Sequence, residues 1–200
     1  MAAPRGFFKT ARNDAQRKFK HFYERENTQK FKVLKEKFQQ KGDKMIIRAM
    51  KKSDYDAVFA LWSEIKGFGI RAIDDSKDYI ESFLERNPDL SVVCELDEDA
   101  NGYAAGTIIG SILCGHDGRT GGFYHVCVHS AFRKLGIAHE MTKFCLAALR
   151  KAKINKIALI AFKSNDLGNE FWRHYGFTLR EDANYYDLSL NDENATKFNA

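Results

Sequence analysis

No stretch of the 200 residues holds the roughly 18 consecutive apolar side chains of a membrane-spanning helix, and no apolar leader follows Met1. Paired metal-binding spacing is missing as well. Cys94, Cys114, Cys127 and Cys145 stand singly in apolar segments without C-x-x-C, and the six histidines show no ligand spacing, so no metal is expected. The thiols read as reduced core residues, which suits a cytoplasmic chain or one imported into an organelle. Neither G-x-G-x-x-G nor G-x-x-x-x-G-K-[ST] occurs, so the dinucleotide and P-loop modes lack their glycines and lysine. No serine has a paired base in sight, and only Cys127 keeps a covalent enzyme intermediate open. Repeats and low-complexity tracts are absent too.

What is present suffices for one domain with an extension, at 44% hydrophobic and 13% aromatic residues. The net charge of +5 hides a split. Residues 1–44 hold 13 Lys or Arg against 5 Asp or Glu, net +8, while the other 156 hold 19 against 22, net −3. Phe31, Leu34 and Phe38 follow i, i+3, i+7 spacing and give this basic segment the apolar edge of a helix. Three uses stay open: a solvated helix packing on the domain or on a second copy in a homodimer, an arm for nucleic acid or an anionic membrane, and an import presequence.

Met45 opens a strand-like run to Met50. Ser53 is expected to cap a first helix whose apolar face is Val58, Leu61, Trp62 and Ile65. A loop with Gly67 and Gly69 leads to a second helix, Ser76 to Arg86, stopped by Asn87-Pro88. Leu90 to Leu96, Tyr103 to Cys114 and Phe123 to Val128 read as an antiparallel meander with turns at Asp97 to Gly102 and Gly115 to Gly122. Ile137, Met141, Cys145 and Leu149 form the buried stripe of a helix running to about Ala152. Lys156 to Phe162 reads as a central parallel strand, Leu167 to Tyr175 as a short helix, and Phe177 to Arg180 with Tyr185 to Leu190 as a closing hairpin.

The most telling segment is Arg133-Lys134-Leu135-Gly136-Ile137-Ala138, between a strand and a helix. Such a turn leaves main-chain amides unpaired at the positive end of the helix dipole, which attracts anions. Arg133 and Lys134 add cations, and Gly136 removes a Cβ from the path of a phosphate. A phosphorylated cofactor is the expected ligand.

The R-x-x-G-x-A pattern of Arg133 to Ala138 resembles the coenzyme A signature of the GNAT superfamily of N-acetyltransferases. Asn165 to Phe177 resembles its second hallmark, an Asn after a strand, a short helix, and Gly-Phe opening the last hairpin. With the Gly115 to Gly118 turn and Arg180 to Asp182, the likeness covers residues 45–191. It leaves 1–44 as a basic extension and 192–200 as a tail. The resemblance implies an α/β (α+β) fold: a mixed, mostly antiparallel twisted sheet of six to seven strands flanked by about four helices. It also implies acetyl-CoA as co-substrate. The diphosphate would lie on Arg133, Lys134, Leu135, Gly136, Ile137 and Ala138. The pantetheine arm would follow the backbone of Val126, Cys127 and Val128, with an N–H aimed at the thioester oxygen. Asn165 and Trp172 would lie on the cofactor side, Asn165 also having a helix-capping role open to it.

Acyl transfer to an amine needs the reactants held together, an oxyanion donor and a deprotonated nitrogen. Trp172 stands where many members carry a tyrosine acid, and its indole cannot serve as one. Gly122 and Ile160 stand where some members carry a glutamate base. His125, on the strand bordering the acceptor, is the remaining candidate, a hydrogen-bonded core histidine being its plainer reading. Deprotonating a lysine near pH 7 costs about 4.6 kcal/mol and an α-amine about 1.1. The expected acceptor is therefore a weakly basic primary amine: an amino acid, a peptide N-terminus or another small molecule. The competing function is a non-catalytic acyl-CoA sensor or scaffold whose basic extension grips nucleic acid or a protein.

Overall fold

The structure, a computed structural model, describes residues 45–199; the expectations for 1–44 lie outside them. Two compact units emerge, one comprising 45–160 with 187–199 and the other 161–186.

The larger unit is built on a five-stranded sheet of order β1-β3-β4-β5-β6. Its strands are β1 (Met45–Ala49), β3 (Val92–Leu96), β4 (Ile108–His116), β5 (Gly121–Val128) and β6 (Ile157–Leu159). Neighbours run antiparallel except β5 and β6, which run parallel. Helices α1 (Tyr55–Glu64) and α2 (Lys77–Arg86) connect β1 to β3, and α3 (Ile137–Lys151) is the crossover between the parallel pair. β2 (Gly69–Arg71) and β7 (Thr196–Phe198) form a separate antiparallel pair. With α4 (Asp166–Tyr175) in the smaller unit, the described residues hold seven strands and four α-helices, the mixed α/β class expected.

Apolar periodicity explains most of it. Val58, Leu61 and Trp62 of α1 and Ile80 and Leu84 of α2 pack with Val93, Ile108, Leu113 and Cys127 of the sheet. The stripe Ile137, Met141, Cys145 and Leu149 of α3 is likewise buried. β4 is almost wholly buried, as a strand covered on both faces should be.

Four expectations change. Asp54, not Ser53, starts α1: a 3-10 turn over Lys52–Asp54 intervenes, and the Asp54 carboxylate accepts the Lys51 amide at 2.7 Å. β6 is three residues long and lies at the sheet's edge rather than its centre. Residues 177–180 and 185–190 form no strand, and Tyr185, Tyr186, Leu188 and Leu190 are exposed. Alternating apolar residues make a segment fit for a strand, but a ladder also needs a partner edge within reach. Finally, the segment read as a tail carries β7.

Arg48 bridges β1, β3 and the entry to α1, donating to Glu95 at 2.7 Å and to both Asp54 carboxylate oxygens at 2.7 and 2.9 Å. Burial pushes the Asp54 carboxyl up, but the bonds from Arg48 and the Lys51 amide outweigh it and hold it below its ordinary value. A carboxyl lowered by folding adds stability above its unfolded value of about 4, and that contribution fades as pH falls through the folded value. In urea unfolding titrated toward acid, the wild type should therefore lose stability more steeply than Asp54→Asn. Arg48→Met should cost about 2 kcal/mol near neutral pH.

Candidate active site

β5 lies against β6 only from Gly121 to Phe123, opposite Ile157 to Leu159. Beyond Phe123 its far edge meets no strand among the described residues. On the near side, β4 pairs Ser111 with Cys127 and Leu113 with Tyr124, so Ile112 faces two residues, His125 and Val126. His125 is the extra residue of a β-bulge and takes the left-handed φ of 48°.

The bulge reverses the side-chain alternation. Phe123 pairs with Cys114, whose thiol meets Cys145 on α3. In an unbroken strand His125 and Cys127 would share that face. Instead Cys127 lies 3.3 Å from Ser111 Oγ, which accepts the Trp62 indole N–H at 2.9 Å on the α1 side. The His125 ring is there too, 4.5 Å from Trp62 and 5.0 Å from Phe68 between ring centres.

Its partner is Asp75, which sequence reasoning missed. His125 Nε2 lies 2.5 Å from Asp75 Oδ1, while Oδ2 accepts the Arg71 amide at 2.7 Å and Tyr55 donates its hydroxyl to the Asp75 carbonyl at 2.9 Å. The Asp75 side chain is 6% exposed and that of His125 18%. A carboxylate can only accept, so the hydrogen shared with it lies on Nε2, and in the neutral ring Nδ1 is the nitrogen with the lone pair. The one sequence signal was an Asp-Asp pair before the Ser76 cap, which reads as turn chemistry.

Along the open edge, the His129 amide donates to the Ile109 carbonyl of β4 at 2.8 Å. Peptide groups alternate in direction along a strand, so those of Val126 and Val128 face away from β4. The Val128 carbonyl accepts Arg133 Nε at 3.1 Å, folding Arg133 back onto the strand end. Lys134 follows with φ of 63° and is exposed, and Leu135 is half-buried. Gly136 caps α3 with φ of 85°, and a Cβ there would meet nothing within 4 Å. The first return bond of α3 runs from the Glu140 amide to the Gly136 carbonyl, so the amides of Ile137 and Ala138 have no helical carbonyl behind them. Open edge and open helix terminus are thus contiguous in sequence and face no strand.

Of the other residues singled out, Asn165 caps α4, its Oδ1 accepting the Gly168 amide at 2.9 Å. Trp172 is buried and edges against Phe171 and Phe177, at 4.8 and 4.9 Å. Both lie in the smaller unit. Gly122 cannot carry a carboxylate without displacing Tyr124, because a Cβ there would lie 2.7 Å from the Tyr124 hydroxyl. Ile160 is exposed. No helix among the described residues is long and apolar enough to cross a membrane.

Comparison with known proteins identifies the family and the fold. Residues 55–177 match the acetyltransferase (GNAT) family. An acetyltransferase of Pectobacterium atrosepticum is 33% identical over 122 residues, 61% of this chain and 79% of that one. One from Photorhabdus laumondii is 33% identical over 126 residues, covering 61% and 78%. Among solved structures, Ard1 from Thermoplasma volcanium has a TM-score of 0.55 at 17% identity, covering 68% of this chain and 84% of that one. A predicted acetyltransferase from Clostridium acetobutylicum, solved with acetyl-CoA, scores 0.53 at 19%, covering 74% and 97%. These structures share the fold. The chain belongs to the GNAT acetyltransferase family.

Cys127 is no nucleophile here: burial pushes its thiol up to about 11, and Ser111 is its neighbour rather than a base. Iodoacetamide at about pH 7.5 should leave Cys127 unmodified in the folded protein and label it once urea unfolds the chain, read by peptide mass spectrometry.

Proposed function

We propose that this chain moves the acetyl group of acetyl-CoA to a primary amine, by direct attack within a ternary complex, with His125 as the base. The observation that carries the reading is the β5 bulge. It aims an imidazole held by a buried carboxylate to one side of the strand, next to a backbone edge that no other strand occupies.

The residues suit the co-substrate. Main-chain amides of Gly136, Ile137 and Ala138, beside exposed Lys134, offer donors and positive potential to a diphosphate, and the bare Gly136 lets it approach the backbone. The outward peptide group of Val126 offers one donor and one acceptor to a pantetheine amide chain and the Val128 amide a further donor, the Val128 carbonyl being engaged by Arg133. Leu135 bounds this turn, Cys127 fills the sheet beneath, and Asn165 and Trp172 are assigned to the cofactor side on the family pattern alone. Acetyl-CoA supplies an acyl group activated as a thioester. The protein's own part is to hold the edge open, orient the imidazole and take a proton at Nδ1 from the incoming amine.

Asp75 acts through His125 rather than on the amine, because its two oxygens are already engaged by His125 and the Arg71 amide. A base of imidazole strength is matched to amines that lose a proton near neutral pH. Amino acids, peptide N-termini and small weakly basic amines are therefore the proposed acceptors. Ionised thiol is a tolerable leaving group at its ordinary value of about 8.5, so no separate acid is assigned.

Calorimetry with acetyl-CoA should show saturable binding, and thiol release across an amine panel should follow. His125→Gln should lower kcat/KM about 100-fold while leaving the acetyl-CoA Kd within about twofold. Binding with no turnover on any amine would sink the transferase reading in favour of a sensor. Faster acetylation of internal lysines than of α-amines would overturn the acceptor assignment.

A further inference from the structure

The loop that brings Phe68 and Asp75 to His125 has little structure of its own. It is held along its length by a strap from the other end of the chain, residues 191–199. The ladder of β2 with β7 pairs Gly69 with Phe198, Ile70 with Lys197 and Arg71 with Thr196. At one end the Asn199 amide donates to the Phe68 carbonyl at 3.1 Å and the Gly67 amide to the Asn199 carbonyl at 3.0 Å. Beyond the ladder's other end, the Ala72 amide donates to the Ala195 carbonyl at 3.1 Å.

Two side chains pin the strap. Asn199 Nδ2 donates to the carbonyls of Trp62 and Ile65, at 2.7 and 2.9 Å, at the end of α1, where each also accepts one amide of the closing turn, from Ile65 and Phe68. Asn194 Oδ1 accepts the amides of Ile73 and Asp74, at 3.0 and 3.1 Å, directly before Asp75. Asn194 and Asn199 are also the strap's only residues that are not exposed. The strap is thus anchored by side-chain hydrogen bonds at its two ends, with the Phe198 ring lying over Gly69 between them. Those ends are the Trp62 and Asp75 ends of the segment that encloses His125.

We propose that this strap is a positioning element for the acceptor side of acetyl transfer. Asn194 and Asn199 hold the 66–75 loop so that Asp75 and Phe68 fix the His125 ring. The proposal rests on the acetyl-transfer reading above.

The two asparagines play opposite chemical parts, which supplies the test. Asn199 works as a donor, so Asn199→Asp should fail as Asn199→Ala does. Asn194 works as an acceptor, so Asn194→Asp should stay near wild type where Asn194→Ala fails. Failure means about a tenfold fall in kcat/KM for whichever small primary amine the wild type acetylates best, with the acetyl-CoA Kd held within about twofold. Amide exchange should quicken over residues 68–75 in the failing variants and stay unchanged in β3 and β4. The proposal is overturned if Asn199→Asp matches wild type in both readouts, or if Asn194→Asp is as damaging as Asn194→Ala. It is also overturned if the losses come with weakened acetyl-CoA binding and faster exchange throughout, the mark of general unfolding. A wild type that turns over no amine would instead overturn the acetyl-transfer reading, and the exchange pattern would still decide whether the strap locks the loop.

Discussion

One surplus residue in β5 organises the site. Because two residues of β5 face Ile112, the strand's alternation slips by one. His125 and Cys127 then turn toward α1, although Phe123 faces α3. A left-handed backbone at a histidine is strained by about a kcal/mol or more, and it persists only because its surroundings over-determine it. Here those surroundings are Trp62 and Phe68 on the ring and Asp75 on Nε2. The separation of β6 from β5 after Phe123 begins next to this bulge. Backbone groups there meet no strand among the described residues, and the proposed function gives them to a bound chain of amides.

The electrostatics follow from the same arrangement. A carboxylate as buried as Asp75 is tolerable only with its oxygens satisfied, and the Arg71 amide and His125 supply both bonds. With that hydrogen on Nε2, the neutral ring has Nδ1 as its acceptor. At the other end of β5 the field is positive without a buried cation: the α3 terminus, Gly136 and exposed Lys134 provide it, while the Arg133 side chain is committed to the Val128 carbonyl. The proposed base and the proposed anion site thus lie at opposite ends of one short segment of the chain. That is the spacing a long co-substrate with its reactive group at one end and its phosphates at the other requires.

Much of this was legible from local patterns. The turn into α3 is readable from Arg133 to Ala138 because Gly136 marks a helix start, and the structure places that start there. The stripe Ile137, Met141, Cys145 and Leu149 and the face Val58, Leu61 and Trp62 declared themselves by spacing, and all are buried. His125 stands out as the one histidine on its strand. Asp75 was not, because its partner is 50 residues away and its own neighbourhood, Asp74-Asp75-Ser76, has the look of an ordinary helix entry. β7 was missed for the related reason that Thr196 to Phe198 has no apolar period to display. Its side chains are exposed and its role lies in backbone bonds to Gly69 to Arg71.

By itself the sequence determined the elements whose physics is local: helix faces, the glycine-opened turn, buried thiols and the absence of metal or dinucleotide motifs. Only the tertiary structure decided which way β5 turns its histidine, which carboxylate meets it, and that residues 194–199 reach back to hold that carboxylate's loop. The physical reason is separation along the chain. A period of two or 3.6 residues is written into neighbours, whereas a bulge, an ion-pairing partner and a ladder between distant segments exist only when the sheet has closed and the loops have met.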